Sequence, residues 1–225
     1  NQALYRILCS GVSQTRSASI LNIHRITVAR KIEKLARFAR HEHARWLHTQ
    51  DLASNLIFDE METFEHTKCK PLSIAIAVNS DRFIASAFVA TMPAKGRLAK
   101  LSRRRYGRRP DLRHYALRKQ MEVLKRTFPD ALLIKTDKKH SYRKYVRDYF
   151  PEAQHETSKG RRGCVVGQGE LKAGGWDPLF KLNHSCAAVR DNLKTLSRRT
   201  WCTVKRPDRL QDLLDLYVHF HNRFL

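Results

Sequence analysis

The chain has 225 residues, with 44 Lys and Arg against 21 Asp and Glu and a formal net charge of +23, a surplus that calls for a polyanionic partner because phosphate backbones are the usual source of compensating charge. No apolar run approaches the roughly 18 residues of a spanning helix, and no N-terminal stretch has the basic, apolar, small-residue order of a signal peptide. The five cysteines are odd in number and form no C-x-x-C pair, which argues against a disulfide framework and against a zinc ribbon within this chain.

The chain therefore reads as soluble and intracellular with reduced thiols. Its 42% hydrophobic content is enough for a core, and its length allows one full domain and a small one. Residue 1 is Asn rather than Met, so a preceding segment is expected.

Residues 1–46 read as helical, and residues 13–32 carry a helix-turn-helix pattern. Ser13 is a good N-cap, Ala18 is small where two helices cross, and Asn22 tolerates the left-handed conformation of a tight turn. Ile23, Val28 and Ile32 supply apolar anchors, and the second helix begins near His24, a poor cap by type, or Arg25. There Val28, Ile32 and Leu35 recur at helical spacing, which leaves Arg25, Thr27, Arg30, Lys31 and Lys34 mostly on the outer face. That face suits the major groove of double-stranded DNA. The helix runs on to Trp46 with Arg37, Arg40 and Arg45 on it. His41, His43 and His48 lack the i, i+4 spacing of a helical metal site and read as a solvated face. The first domain thus spans residues 1–50.

From residue 55 the periodicity changes. Residues 55–65, 71–78 and 83–92 form apolar, β-rich runs broken by turn residues, as expected of three consecutive antiparallel strands. Residues 95–109 form a dense basic stretch with Arg103, Arg104 and Arg105, either a mobile solubilising loop or a phosphate contact. A helix over 111–127, a strand from 131 ending at Asp137 and a helix over 141–149 follow. Residues 152–178 are glycine-rich and read as a strand and loops, without a phosphate-binding G-x-x-x-x-G-K-[ST] motif. A helix then runs from Pro178 to about residue 200 with Leu182, Cys186, Val189, Leu193 and Leu196 as its apolar stripe, and a last helix covers 208–221.

Strand, strand, strand, helix, strand, helix is the order of a ribonuclease H-like domain, here an α/β fold over residues 55–225 with a mixed sheet flanked by helices. In that arrangement the first strand lies centrally beside the fourth, which brings Asp59 and Asp137 together. Paired carboxylates at the mouth of neighbouring strands are hard oxygen ligands suited to Mg²⁺. Glu60 and Glu62 flank Asp59, but strand alternation points both to the other face. Asn183 and Arg190 lie two helical turns apart on one face, away from the apolar stripe.

Phe58-Asp59-Glu60, Lys135-Thr136-Asp137, the segment from Asn183 to Arg190 and the run from Leu196 to Lys205 together resemble the DDE-type transposases of bacterial insertion sequences, in the branch whose third catalytic residue is Asn. The resemblance extends over nearly the whole chain. It implies that Asp59, Asp137 and Asn183 hold divalent metal, two Mg²⁺ or Mn²⁺ ions, and that Arg190 holds the backbone of the transposon end. It also implies strand cleavage at terminal inverted repeats, strand transfer into target DNA, a dimer or larger assembly on DNA, and a bacterial cytoplasmic location. An Asn carbonyl ligates Mg²⁺ without adding charge, so Glu170 and Asp177 stand as alternative third ligands. Family members carry a zinc ribbon before the helix-turn-helix, which fits a truncated start here. The rival expectations are a helix-turn-helix regulator whose sheet domain senses or oligomerises, and a transposase remnant without turnover.

Overall fold

The computed structural model describes residues 1–47, 49, 52, 54–159, 177–197 and 201–224. Three helices open the chain: α1 (Gln2–Leu8), α2 (Gln14–Ile20) and α3 (Arg25–Leu47). Ser13, in extended backbone, starts α2 by accepting the Arg16 amide at 3.3 Å, the bond that satisfies one orphan donor of a first turn. Asn22 takes a positive φ of 47°, and the Ile23 amide closes the turn on the Ala18 carbonyl at 3.0 Å. His24 serves as a cap after all, its Nδ1 accepting from the Ile26 amide at 3.3 Å. Val28, Ile32, Ala36 and Ala39 form the buried stripe of α3.

The strands are β1 (Asn55–Phe64), β2 (Pro71–Asn79), β3 (Ile84–Thr91), β4 (Leu133–Asp137) and β5 (Gln154–Ser158). They make one mixed sheet in the order β3-β2-β1-β4-β5, antiparallel from β1 through β2 to β3 and parallel from β1 through β4 to β5. Between and after them lie α4 (Leu98–Tyr106), α5 (Arg113–Thr127), α6 (His140–Tyr149), α7 (Phe180–Asn192) and α8 (Pro207–Phe224). The fold is α/β, a five-stranded mixed sheet flanked by helices, and its order is compatible with a ribonuclease H-like core. β1 lies beside β4 as the element order anticipated.

The two faces of the sheet differ in bulk. Ile57, Met61, Leu72, Ile74, Ile76 and Val78 meet α7, α8 and the N-terminal helices in one apolar cluster. On the other face β2 and β3 present Ala75, Ala77 and Ala85, small side chains that let α5 pack closely through Leu117, Met121 and Leu124. β2 is buried along nearly its whole length, as a strand covered on both faces must be. The first cluster runs from Leu4 and Val28 to Tyr217 without a break, so the apolar core crosses the expected boundary near residue 50.

Three expectations need adjustment. The basic stretch holds a helix, α4, closed by Gly107 at a φ of 71°, and anchored by the buried Ser102 hydroxyl on the Cys69 carbonyl at 2.6 Å. α7 ends at Asn192 because Leu193 turns extended, and a short 3-10 turn, Lys194–Leu196, then carries Leu196 into the core. His43 does not belong to a solvated face, for it is half-buried and stacks on Phe83 with ring centroids 5.9 Å apart. Residues 160–176, with Glu170 and most of the glycine-rich stretch, lie outside the described residues, as do His48 and residues 198–200.

Candidate active site

The last paired residues of β1 and β4 are Ile57 and Lys135, and Asp59 and Asp137 each follow two positions later. Strand alternation therefore turns both toward the face of Ile57, which α7 and α8 cover. Asp59 is still held by β2, opposite Ile76, while β4 ends at Asp137. Burial pushes the Asp59 carboxyl up from 3.8 to about 6, and the charge of Asp137 is the next largest contribution in the same direction. Asp59 thus senses the Asp137 carboxylate, as a charge in a poorly solvated site senses a like charge nearby. Asp137 Oδ1 accepts the Lys139 amide at 2.8 Å, an Asx-type turn that leads into α6.

Three residues that sequence reasoning passed over complete this cluster. Tyr142 of α6 is fully buried, packs edge-on against Phe58 at 5.1 Å, and donates its hydroxyl toward Asp59 Oδ1 at 3.0 Å and Glu60 Oε2 at 3.1 Å. Lys139 pairs with Glu60 and lies 4.9 Å from the Tyr142 ring centroid. Ser73 donates to the other Glu60 oxygen at 2.9 Å. Burial pushes the Tyr142 phenol far above its usual range and lowers the Lys139 ammonium, with Asp59 pulling it back.

Alternation alone was therefore too strict a filter for Glu60. Its carboxylate leaves the opposite side of β1 yet reaches the hydroxyl that Asp59 shares, whereas Glu62 is exposed and paired with Lys95 at 2.9 Å. The signal for Tyr142 was present in the sequence: it is the first inward position of α6, and a buried phenol needs a polar partner.

Asn183 lies exposed on the first turn of α7. Its Nδ2 donates to Asp177 Oδ2 at 2.8 Å, which leaves the amide oxygen, the atom a cation would use, as an acceptor. Asp177 in turn accepts the Leu179 amide at 3.0 Å, so this alternative third acid is engaged in holding the start of α7. One turn beyond Asn183, burial pushes the Cys186 thiol up to about 12, with Arg190 lowering it and Asp59 raising it. Cys186 is thereby within electrostatic reach of both. Arg190 is half-buried, and its carbonyl accepts the Ser197 hydroxyl at 3.3 Å.

The basic residues singled out earlier occupy two surfaces. Arg25, Arg30 and Lys34 are exposed on α3, while Thr27 and Lys31 are half-buried and Lys31 donates to Asn1 Oδ1 at 2.7 Å. Arg40 is tied to Asp212 and Asp215 of α8. Arg103, Arg104 and Arg105 are exposed on α4.

Among the described residues no group of three or more His, Cys, Asp or Glu is placed to hold a metal ion; the oxygen donors here are two carboxylates, with the Asn183 amide on the adjoining helix. Cys9, Cys69 and Cys186 are free thiols, and no described helix is long and apolar enough to cross a membrane. No protein-family model matches the chain, and no curated protein matches it. What the fold and site define is a strongly basic α/β protein with two carboxylates just beyond the point where two adjacent parallel strands stop pairing.

Proposed function

We propose that the chain is a DNA transposase of the insertion-sequence type, which cleaves DNA at transposon ends and transfers the freed strand to target DNA. The observation that carries this reading is the pair Asp59, midway along β1 where its pairing with β4 stops, and Asp137, at the end of β4, with the charge of Asp137 acting on Asp59 in a chain of net charge +23. A carboxylate whose ionisation is opposed by burial and by a neighbouring carboxylate belongs to a donor set that a divalent cation relieves. Asp59 and Asp137 would hold Mg²⁺ or Mn²⁺, two ions in this reading, with the Asn183 amide oxygen as an uncharged third ligand. A bound divalent ion supplies a Lewis acid that activates water and neutralises charge on the attacking and leaving oxygens.

The chain's own residues prepare that site. Tyr142 fixes the Asp59 carboxylate, the Lys139 amide fixes Asp137, and the Lys139 ammonium neutralises Glu60. Arg190 would hold a DNA phosphate beside α7. The α2-turn-α3 segment is read as a helix-turn-helix, with Arg25, Thr27, Arg30, Lys31 and Lys34 toward the major groove and Arg103, Arg104 and Arg105 on the backbone. The two units are residues 1–50 and 55–225, acting as a dimer or larger on two DNA ends in the bacterial cytoplasm.

A second reading, a DNA-binding protein without turnover, draws support from the commitment of Asn183 and Asp177 to one another. Nicking of supercoiled DNA separates the two. Mg²⁺- or Mn²⁺-dependent nicking abolished by Asp59→Ala or Asp137→Ala, with DNA affinity retained, supports the enzyme. DNA binding with no nicking under either metal rejects it.

A further inference from the structure

The helix that carries Tyr142 inward carries a row of cations outward. On α6 the residues Tyr142 and Val146 are buried, whereas Arg143, Lys144 and Arg147 are exposed, the division a 3.6-residue period makes of this segment. α6, β5 and Arg118 of α5 line a cleft of about 1320 Å³ at the edge of the sheet. His155 of β5 and Arg143 of α6 both line it, and after burial the charge of Arg143 is what lowers the proton affinity of His155.

Charge and aromatic surface alternate along it. Among the described residues the only carboxylate in the lining is Asp148, and Arg147 takes it up through Nε at 3.2 Å and Nη2 at 3.1 Å. Arg118, Arg143 and Lys144 have no carboxylate partner among the described residues. Tyr145 and Tyr149, half-buried one turn apart on α6, line the cleft between these cations. A duplex keeps its base faces in the stack and gives such rings nothing to contact. A single strand offers phosphates to the cations and base faces to the rings together.

We propose that the cleft between α6 and β5 binds single-stranded nucleic acid, with Arg118, Arg143 and Lys144 on phosphates and Tyr145 and Tyr149 against bases. This site is separate from the carboxylate pair, and it requires no metal.

Fluorescence anisotropy tests it on the full chain in chelator, with labelled oligo-dT, oligo-rU and a duplex, over a range of salt. The double change Arg143→Gln and Lys144→Gln is expected to weaken single-strand binding about tenfold or more, and to reduce the slope of log K against log salt by about 1.4, two contacts' worth. Duplex affinity should change less than about twofold, since the duplex lies elsewhere. Tyr145→Leu should cost about five- to a hundredfold without altering the slope, because stacking releases no counterions. Removing equal charge away from the cleft, by Lys68→Gln and Lys194→Gln, should leave single-strand binding in place. The proposal is overturned if the cleft variants bind oligo-dT and oligo-rU like the parent with unchanged circular dichroism, or lose duplex and single strand equally. A preference between the two oligonucleotides assigns the strand as DNA or RNA. Loss of metal-dependent nicking would leave this result untouched.

Discussion

Asp59 and Asp137 stand two residues beyond the last paired positions of two parallel neighbours, β1 and β4, and the charge of Asp137 raises the proton affinity of Asp59. The fold holds two like charges together in a partly desolvated place, with Tyr142 and Lys139 as the nearest compensation. An arrangement that costs stability and persists invites a functional explanation.

The cost is measurable. A carboxyl raised from 3.8 to about 6 binds its proton more tightly in the native state than in the unfolded one. Stability therefore falls as pH rises between those values, and the full penalty is present above about pH 6. Asp59→Asn, which keeps an oxygen acceptor for Tyr142 and the Glu60 amide, should stabilise the chain at pH 7.5 by up to about 3 kcal/mol. The gain should vanish near pH 3.5. Urea denaturation at both pH values in chelator checks it, and an equal difference at both would refute the electrostatic account.

Divalent metal should reverse that ranking. If the pair holds a cation, Mn²⁺ or Mg²⁺ at about 100 times its dissociation constant adds about 2.7 kcal/mol to the native state. The increment should appear above about pH 6, where Asp59 is ionised, and should shrink in acid. Neither Asp59→Asn nor Asp137→Asn should show it. A melting temperature that rises equally in the parent and both variants would mean the metal binds elsewhere.

Tyr142→Phe isolates the hydroxyl shared by Asp59 and Glu60. Hydrogen bonds to charged groups contribute about 1.5–3 kcal/mol, and the donor favours the ionised form of Asp59. The variant should lose stability in that range at pH 7.5 and titrate Asp59 at a higher pH, as read by carboxyl NMR. An unmoved titration would show that the hydroxyl serves Glu60 alone.

The sheet order and the meeting of Asp59 with Asp137 were legible because both follow from periodicity. Alternating or continuous apolar runs mark strands, and the order of elements places β1 beside β4. The turn at Asn22 and the cap at Ser13 were legible for the same local reason. What escaped depends on reach rather than pattern. Glu60 is excluded by alternation but has a side chain long enough to meet Tyr142 at the strand end. His43 has the spacing of a surface residue and is covered only because Phe83, distant in sequence, folds against it. The continuity of the core between α3 and α8 also rests on contacts that no local window contains.

That continuity has a polar hinge-pin. Arg40 meets Asp215 at 2.5 Å and Asp212 at 3.3 Å, yet burial still pushes Asp215 up to about 6 despite the guanidinium. Arg40→Met removes the counter-charge and keeps the stem; Asp215 is largely covered but the Arg40 side chain is 44% exposed, so solvent screening holds the expected loss at pH 7.5 to about 1–2 kcal/mol, below the range for a fully buried pair. Below about pH 5 Asp215 is protonated in the variant and the loss should fade. A deficit that persists undiminished at pH 4.5 would assign it to packing instead.

His43 gives the opposite pH signature from the same junction. Burial, with the His219 charge next, lowers its imidazole from 6.5 to about 4, so the native state stays neutral where the unfolded chain is already protonated. Its contribution is fully present above about pH 6.5 and is lost as pH falls toward 4, up to about 3 kcal/mol. Asp59 and Asp215, both raised, gain stability over the lower part of that window, so the parent's own curve mixes the two trends. The difference between the parent and His43→Phe isolates the imidazole, because a phenyl ring keeps the stacking on Phe83 and cannot take a proton. The variant's stability relative to the parent should climb steadily from pH 6.5 to pH 4 in urea titrations. A constant offset would mean that His43 is solvated in both forms and that α3 does not close on β3 as described.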